Sequence, residues 1–141
     1  TAIYWPYHGA IDEQLGRLAA TGKAPAFISV HSFTPVLNGE ARPWEIGVLW
    51  DKSQGLHTPF IEDFRAAGFM VGDNEPYSGK APADYTIDTH AEGNGLPCVG
   101  IEIRQDLIKD EAGVARIGNI MRRTIASLGE RIPESSFRIS A

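Results

Sequence analysis

The amino-acid sequence predicts an α/β domain with helices on both faces of a sheet. Two observations carry this. Segments with apolar residues three or four apart alternate with short, nearly continuous apolar runs rich in β-branched residues, and glycine, proline or Asn-Gly marks most changes of period. The 141 residues suffice for one hydrophobic core and are too few for two, so a single domain over 1–141 is expected, with 130–141 as a loose tail.

Taken in order, Ile3, Tyr7, Ile11, Leu15 and Leu18 form the stripe of an amphipathic helix that ends at Thr21-Gly22. Residues 26–31, Ala-Phe-Ile-Ser-Val-His, read as a buried strand with His31 at its carboxyl end. Residues 32–44 hold two prolines and Asn38-Gly39, without period, and read as a loop. Residues 46–50 form a second strand. Thr58-Pro59 reads as an N-cap with proline at the first helical position, opening a helix stopped by Gly68. Residues 69–71 are a third, short strand, followed by a long polar loop from Asp73. Residues 85–93 suit a helix ended by Asn94-Gly95, and residues 97–103 a fourth strand. Asp110 is an N-cap candidate for a last helix with Val114, Ile117, Met121, Ile125 and Leu128 on one face and its end at Gly129.

Charge and composition narrow the function. The 13 basic and 18 acidic side chains give a net charge of −5, which argues against a nucleic-acid partner and leaves room for an anionic small molecule. No apolar run approaches the roughly 20 residues that span a bilayer, so no membrane partner is expected. Cys98 is the single cysteine, which fits a reducing, cytoplasmic compartment.

Three polar clusters follow or interrupt apolar strands, where open α/β sheets bind ligands: His31-Ser32, Asp73-Asn74 with Tyr77, and Glu102 with Arg104. Glu102 interrupts an apolar run. It is either the wet side of an edge strand or a carboxylate held at a cleft floor as a general base. His31 is either a hydrogen-bonded core histidine or one ligand of a metal. Arg104 lies two residues from Glu102 and so shares its face; it forms a salt bridge or grips a substrate carboxylate bidentately. The Asp73–Tyr77 stretch is an ordinary turn or a substrate loop. His8 and His57 show no functional pattern, and His90 falls on a helix, at the surface or supporting a site.

Residues 29–35 (Ser-Val-His-Ser-Phe-Thr-Pro), 72–79 (Gly-Asp-Asn-Glu-Pro-Tyr-Ser-Gly) and 101–108 (Ile-Glu-Ile-Arg-Gln-Asp-Leu-Ile) resemble the N-formylglutamate amidohydrolase family, and Tyr4-Trp5-Pro6-Tyr7-His8 is similar to that family's mid-chain helix. The resemblance runs from Thr1 to about Leu128. The same blocks more distantly resemble zinc carboxypeptidases. The resemblance implies a three-layer α/β/α sandwich with a mixed sheet, of the phosphorylase/hydrolase-like kind. It also implies zinc-dependent hydrolysis of N-formyl-L-glutamate or a similar N-acyl amino acid.

In that reading Glu102 is catalytic, His31 is a zinc ligand, and Arg104, Tyr77, Asn74 and Asp73 contact substrate. The alternatives are a related zinc amidase or peptidase, and a metal-free binding domain. The family carries its other metal ligands in an N-terminal segment with no counterpart here, and the sequence opens at Thr1. These residues are therefore expected to be the C-terminal half of a longer protein, with zinc ligands incomplete in this chain. Association with that segment or with a second copy is expected, because a truncated sheet exposes an edge.

Overall fold

The computed structural model describes residues 2–22, 24–53, 55–80 and 85–133. Helix α1 (Tyr4–Ala19) leads into strand β1 (Phe27–Phe33), a small hairpin of β2 (Val36–Leu37) and β3 (Glu40–Ala41), and strand β4 (Ile46–Leu49). Helix α2 (His57–Ala66) and strand β5 (Val71–Asp73) follow. A π-helical turn (Ile87–Ala91) runs into a 3-10 turn (Glu92–Asn94), then strand β6 (Cys98–Arg104) and, after a second 3-10 turn, helix α3 (Glu111–Arg131). No helix among the described residues is long and apolar enough to cross a membrane.

The main sheet has four strands in the order β1-β6-β4-β5. Strand β1 runs parallel to β6, and β4 parallel to β5, but β4 is antiparallel to β6, so the sheet is mixed. Its two faces differ in chemistry. Val99, Ile101 and Ile103 of β6, with Ile46 and Val48 of β4, pack under α2 and α3 in the main core with Phe60, Phe64, Ile117, Ile120 and Leu128. The opposite face presents Cys98, Gly100, Glu102 and Arg104, because side chains two apart on a strand share a face. There a smaller cluster joins Cys98 and Phe27 to Ile87, Ala91 and Leu96, with Leu15 of α1 packed against it. Helical layers thus lie on both faces of the sheet.

Several expectations need correction. Strand β1 is an edge strand with exposed residues, Val30 among them, rather than a buried one. It reads as buried because its apolar run is continuous, yet among the described residues only one side of it has a neighbouring strand. The 32–44 loop holds the β2–β3 hairpin. Asn38 and Gly39 both take positive φ (53° and 84°), the two-residue turn that suits the twist of paired strands. Helix α2 begins at His57, and Thr58 does not cap it. The third strand is displaced to Val71–Asp73.

None of the residues of α1 is fully buried, so its stripe is only lightly covered. In α3 the buried line is Ile117, Ile120, Thr124 and Leu128, while Val114 and Ile125 are exposed. Thr124 takes the buried position because its hydroxyl donates to Asp63 Oδ2 of α2 at 2.6 Å and to the Ile120 carbonyl at 3.1 Å. Asp110 does cap α3, accepting from Gly113 N at 2.8 Å. The helix continues past Gly129 to Arg131, and Ile132 enters the core, so the tail is anchored at its start. The rest of the expected tail, 134–141, lies outside the described residues.

Candidate active site

The polar face of the sheet is the floor of a cavity of about 430 Å³. Strand pairing builds its centre. His31 of β1 is in register with Glu102 of β6, and Glu102 with Gly47 of β4. Ser29, two residues before His31 and on the same face, hydrogen-bonds its Nε2 at 2.8 Å, which fixes the imidazole. His31, Ser32, Glu102 and Cys98 line the cavity with Leu49, Trp50 and Asp51. Tyr77, Ser78 and Gly79 form one wall, and Tyr85, Ile87, Asp88 and Glu92 another.

The loop after β5 arrives at this wall by an indirect route. Strand β5 runs opposite to β6, and Asp73 pairs with Val48, which pairs with Ile101. The loop therefore starts level with the middle of β6, heading toward the amino end of that strand, and folds back across the face. The cavity lies on that face, not outside a common carboxyl edge as the sequence suggested. Glycines make the crossing possible. A Cβ at Gly47 would stand 2.6 Å from the Glu75 carbonyl oxygen and 3.2 Å from Glu102 Cβ. One at Gly72 would stand 2.5 Å from the same carbonyl oxygen and 2.8 Å from Trp44 Cδ1. Residues 75 and 76 lie where those side chains would be.

Asn74 holds the loop in shape. It takes a positive φ of 56°, and its Oδ1 accepts from Trp50 N at 3.0 Å and Gly79 N at 2.9 Å. Asp73 accepts from Trp50 Nε1 at 2.6 Å. The Trp50 indole then stacks on His57, with centroids 4.2 Å apart. Burial holds the His57 pKa below its usual value, although the negative charge of Asp73 opposes that. Of the expected site residues, His31, Glu102 and Tyr77 come together around the cavity. Asp73 and Asn74 position its wall and do not line it.

Arg104 also stands apart from the cavity. Its Nε and Nη2 donate to Asp106 at 2.7 and 3.1 Å. Its Nη1 donates to the carbonyls of Arg42, Pro43 and Trp44 at 3.1–3.4 Å, and Glu45 lies 3.8 Å away. The hydrogen bonds to Asp106 raise its pKa above the usual arginine value. A guanidinium so occupied braces the chain leading into β4.

Sequence reading missed much of the lining. Trp50, Asp51, Tyr85, Asp88 and Glu92 carry no site signal within their own segments, and only the tertiary fold gathers them. Cys98 lies on the floor, with its thiol pushed up to about 11 by burial and by the nearby charges of Glu92, Asp88 and Asp51. His90 is buried, not at the surface. Its Nδ1 is 2.7 Å from Asp12 Oδ1 and its Nε2 is 2.7 Å from His8 Nδ1, tying α1 to the π-helical turn. Among the described residues no three His, Cys, Asp or Glu side chains gather as a metal site would require.

The mixed sheet thus sets a carboxylate and a histidine side by side on the floor of a cavity. The comparisons with known proteins supply the class. The model of the N-formylglutamate amidohydrolase family matches residues 1–109, and the chain belongs to that family. A solved structure, the gene product Atu2144 from Agrobacterium tumefaciens, is similar at a TM-score of 0.83 and 32% identity. The similarity covers 92% of this chain and 51% of that one, so the chain spans about half the length of that relative. A search of curated proteins found no match.

Proposed function

We propose that this chain supplies the general base and one substrate wall of an enzyme that hydrolyses the amide bond of N-formyl-L-glutamate or a similar N-acyl amino acid. The observation that carries this reading is the placing of Glu102 on the cavity floor, in register with His31, within the residues that match the amidohydrolase family. In the reaction Glu102 takes a proton from the attacking water as oxygen bonds to the formyl carbon. It then returns the proton to the amide nitrogen as the C–N bond breaks, releasing formate and the amino acid. Tyr77 and the Ser78-Gly79 backbone shape the substrate side of the cavity.

The fold-family resemblance implies zinc, and His31 is the one residue here that matches a family ligand. A catalytic zinc normally takes three protein ligands plus water, so two further donors would have to come from outside the described residues. The proton steps above use only this chain's own groups. The outer edge of β1, beside His31, has no strand paired to it among the described residues and would accept one from a preceding segment or a second copy.

The test is release of formate from N-formyl-L-glutamate by the wild-type protein and by Glu102→Gln. Glutamine keeps the size of glutamate but cannot take the proton, so kcat should fall by about 100-fold or more with little change in KM. Near-normal kcat in Glu102→Gln would remove Glu102 from the reaction.

A further inference from the structure

We propose that Arg42 is the specificity-determining residue that reads a carboxylate of the substrate, a reading that rests on the amidohydrolase function above. The described cavity lining carries four carboxylates, Asp51, Asp88, Glu92 and Glu102, and no lysine or arginine. An anionic N-acyl amino acid therefore needs a cation at the rim. Arg104, the choice suggested by sequence, is saturated by Asp106 and three backbone carbonyls. Lys52 and Lys80 border an adjoining hollow lined by Asp51, Asp88 and Glu92, and Lys80 Nζ stands 4.6 Å from the Trp50 ring centroid.

Arg42 is not part of that acid-lined hollow. Its guanidinium carbon lies 5.0 Å from the centroid of Tyr77, a cavity-lining ring, and 5.3 Å from that of Phe33, which follows the lining residue Ser32. The two rings meet edge to face at 6.4 Å. Packing on aromatic rings engages the charge without consuming the N–H donors, which remain for a bidentate anion. Arg42 makes no ion pair with any carboxylate among the described residues. Its backbone is fixed from both sides: its N–H donates to the Pro35 carbonyl at 2.9 Å, and its carbonyl accepts from Arg104 Nη1 at 3.1 Å. Arg104 thus acts as a positioning residue for Arg42. The contact with Tyr77 joins the cation to the loop that walls the cavity.

The experiment measures binding by calorimetry in a Glu102→Gln background, so that ligand is not consumed. The ligands are N-formyl-L-glutamate and two analogues that each lose one charge, N-formyl-L-glutamine and the α-amide of N-formyl-L-glutamate. The expected result is that the Arg42-containing protein prefers the dicarboxylate to at least one analogue, which identifies the carboxylate read. Arg42→Gln should lose about 10- to 100-fold of that preference, the worth of a charge-assisted contact. Arg42→Lys, which keeps the charge, should retain part of it and serves if the glutamine variant does not fold.

A purely structural Arg42 would weaken all three ligands equally and leave the preference intact, which overturns the proposal. Absence of binding to all three overturns it as well. Loss of preference in Arg42→Gln, with no formate release by wild-type protein, would refute the hydrolytic reading and leave the assignment of Arg42 standing.

Discussion

Gly47→Ala places one methyl group at the point where the sheet beside Glu102 and the loop after β5 meet. The added Cβ would lie 2.6 Å from the Glu75 carbonyl oxygen, 3.2 Å from Glu102 Cβ and 3.3 Å from Pro76 Cδ. Ordinary contact begins near 3.4 Å, so the loop must retreat by about 0.8 Å or β4 must bend. Strand β4 cannot yield easily, because Ile46 and Val48 on its other face are fully buried between β6 and the helices. The loop therefore moves, and Tyr77 moves with it. Overpacking of this kind costs about 1–3 kcal/mol, and a misplacement near 1 Å at a reacting centre costs on the order of 100-fold in rate.

Thermal unfolding should show a midpoint lowered by roughly 3–10 °C for a chain of this size, and kcat/KM for the acyl amino acid should fall more than stability alone explains. Gly118→Ala is the control. Nothing lies within 4 Å of a Cβ there, and the residue is inside α3, so the substitution should stabilise by about 0.5–1 kcal/mol. A Gly47→Ala protein with wild-type stability and activity would refute the claim that the glycine floor positions the wall.

Arg104→Lys keeps the charge but loses the fork that holds Asp106 and three carbonyls; it should lower the unfolding midpoint and raise KM through Arg42, with kcat nearly unchanged, as denaturation and steady-state kinetics would show. Asp63 is expected to shape the acid limb of stability. Burial alone would raise its pKa, but hydrogen bonds from Thr124 and Arg131 hold it below the usual carboxylate range. That contribution is complete above the unfolded carboxylate pKa, near 3.9, and is lost as pH falls through the lower folded value. Asp63→Asn should therefore be less stable than wild type at pH 7, with the gap closing below about pH 4 in denaturant titrations. If zinc binds with His31 among its ligands, His31→Ala should reduce zinc content in elemental analysis; unchanged content would remove His31 from the ligand set.

The parts of the fold that rest on local chemistry were legible in the sequence. The apolar run around Glu102, the Asp110 cap and the Asn94-Gly95 stop all act within a few residues, and Gly95 takes the expected positive φ of 65°. Strand direction was not legible, because a short apolar run looks the same in a parallel or an antiparallel neighbour. That is why the loop after β5 was expected at a common carboxyl edge. Glu102, His31 and Tyr77 could be singled out because each departs from the pattern of its own segment. Arg42 could not, since its value comes from two rings distant in sequence and from the commitments of Arg104. Nor could the burial of His90, which depends on Asp12 and His8 some 80 positions earlier.

The sulfur on the cavity floor has a consequence for which chemistry the site can host. Burial pushes the Cys98 thiol up to about 11, so at neutral pH the thiol form is favoured. Covalent acyl transfer needs the thiolate. Burial first, and the charges of Glu92, Asp88 and Asp51 after it, therefore disfavour Cys98 as a nucleophile. A thioester route through Cys98 is disfavoured at neutral pH.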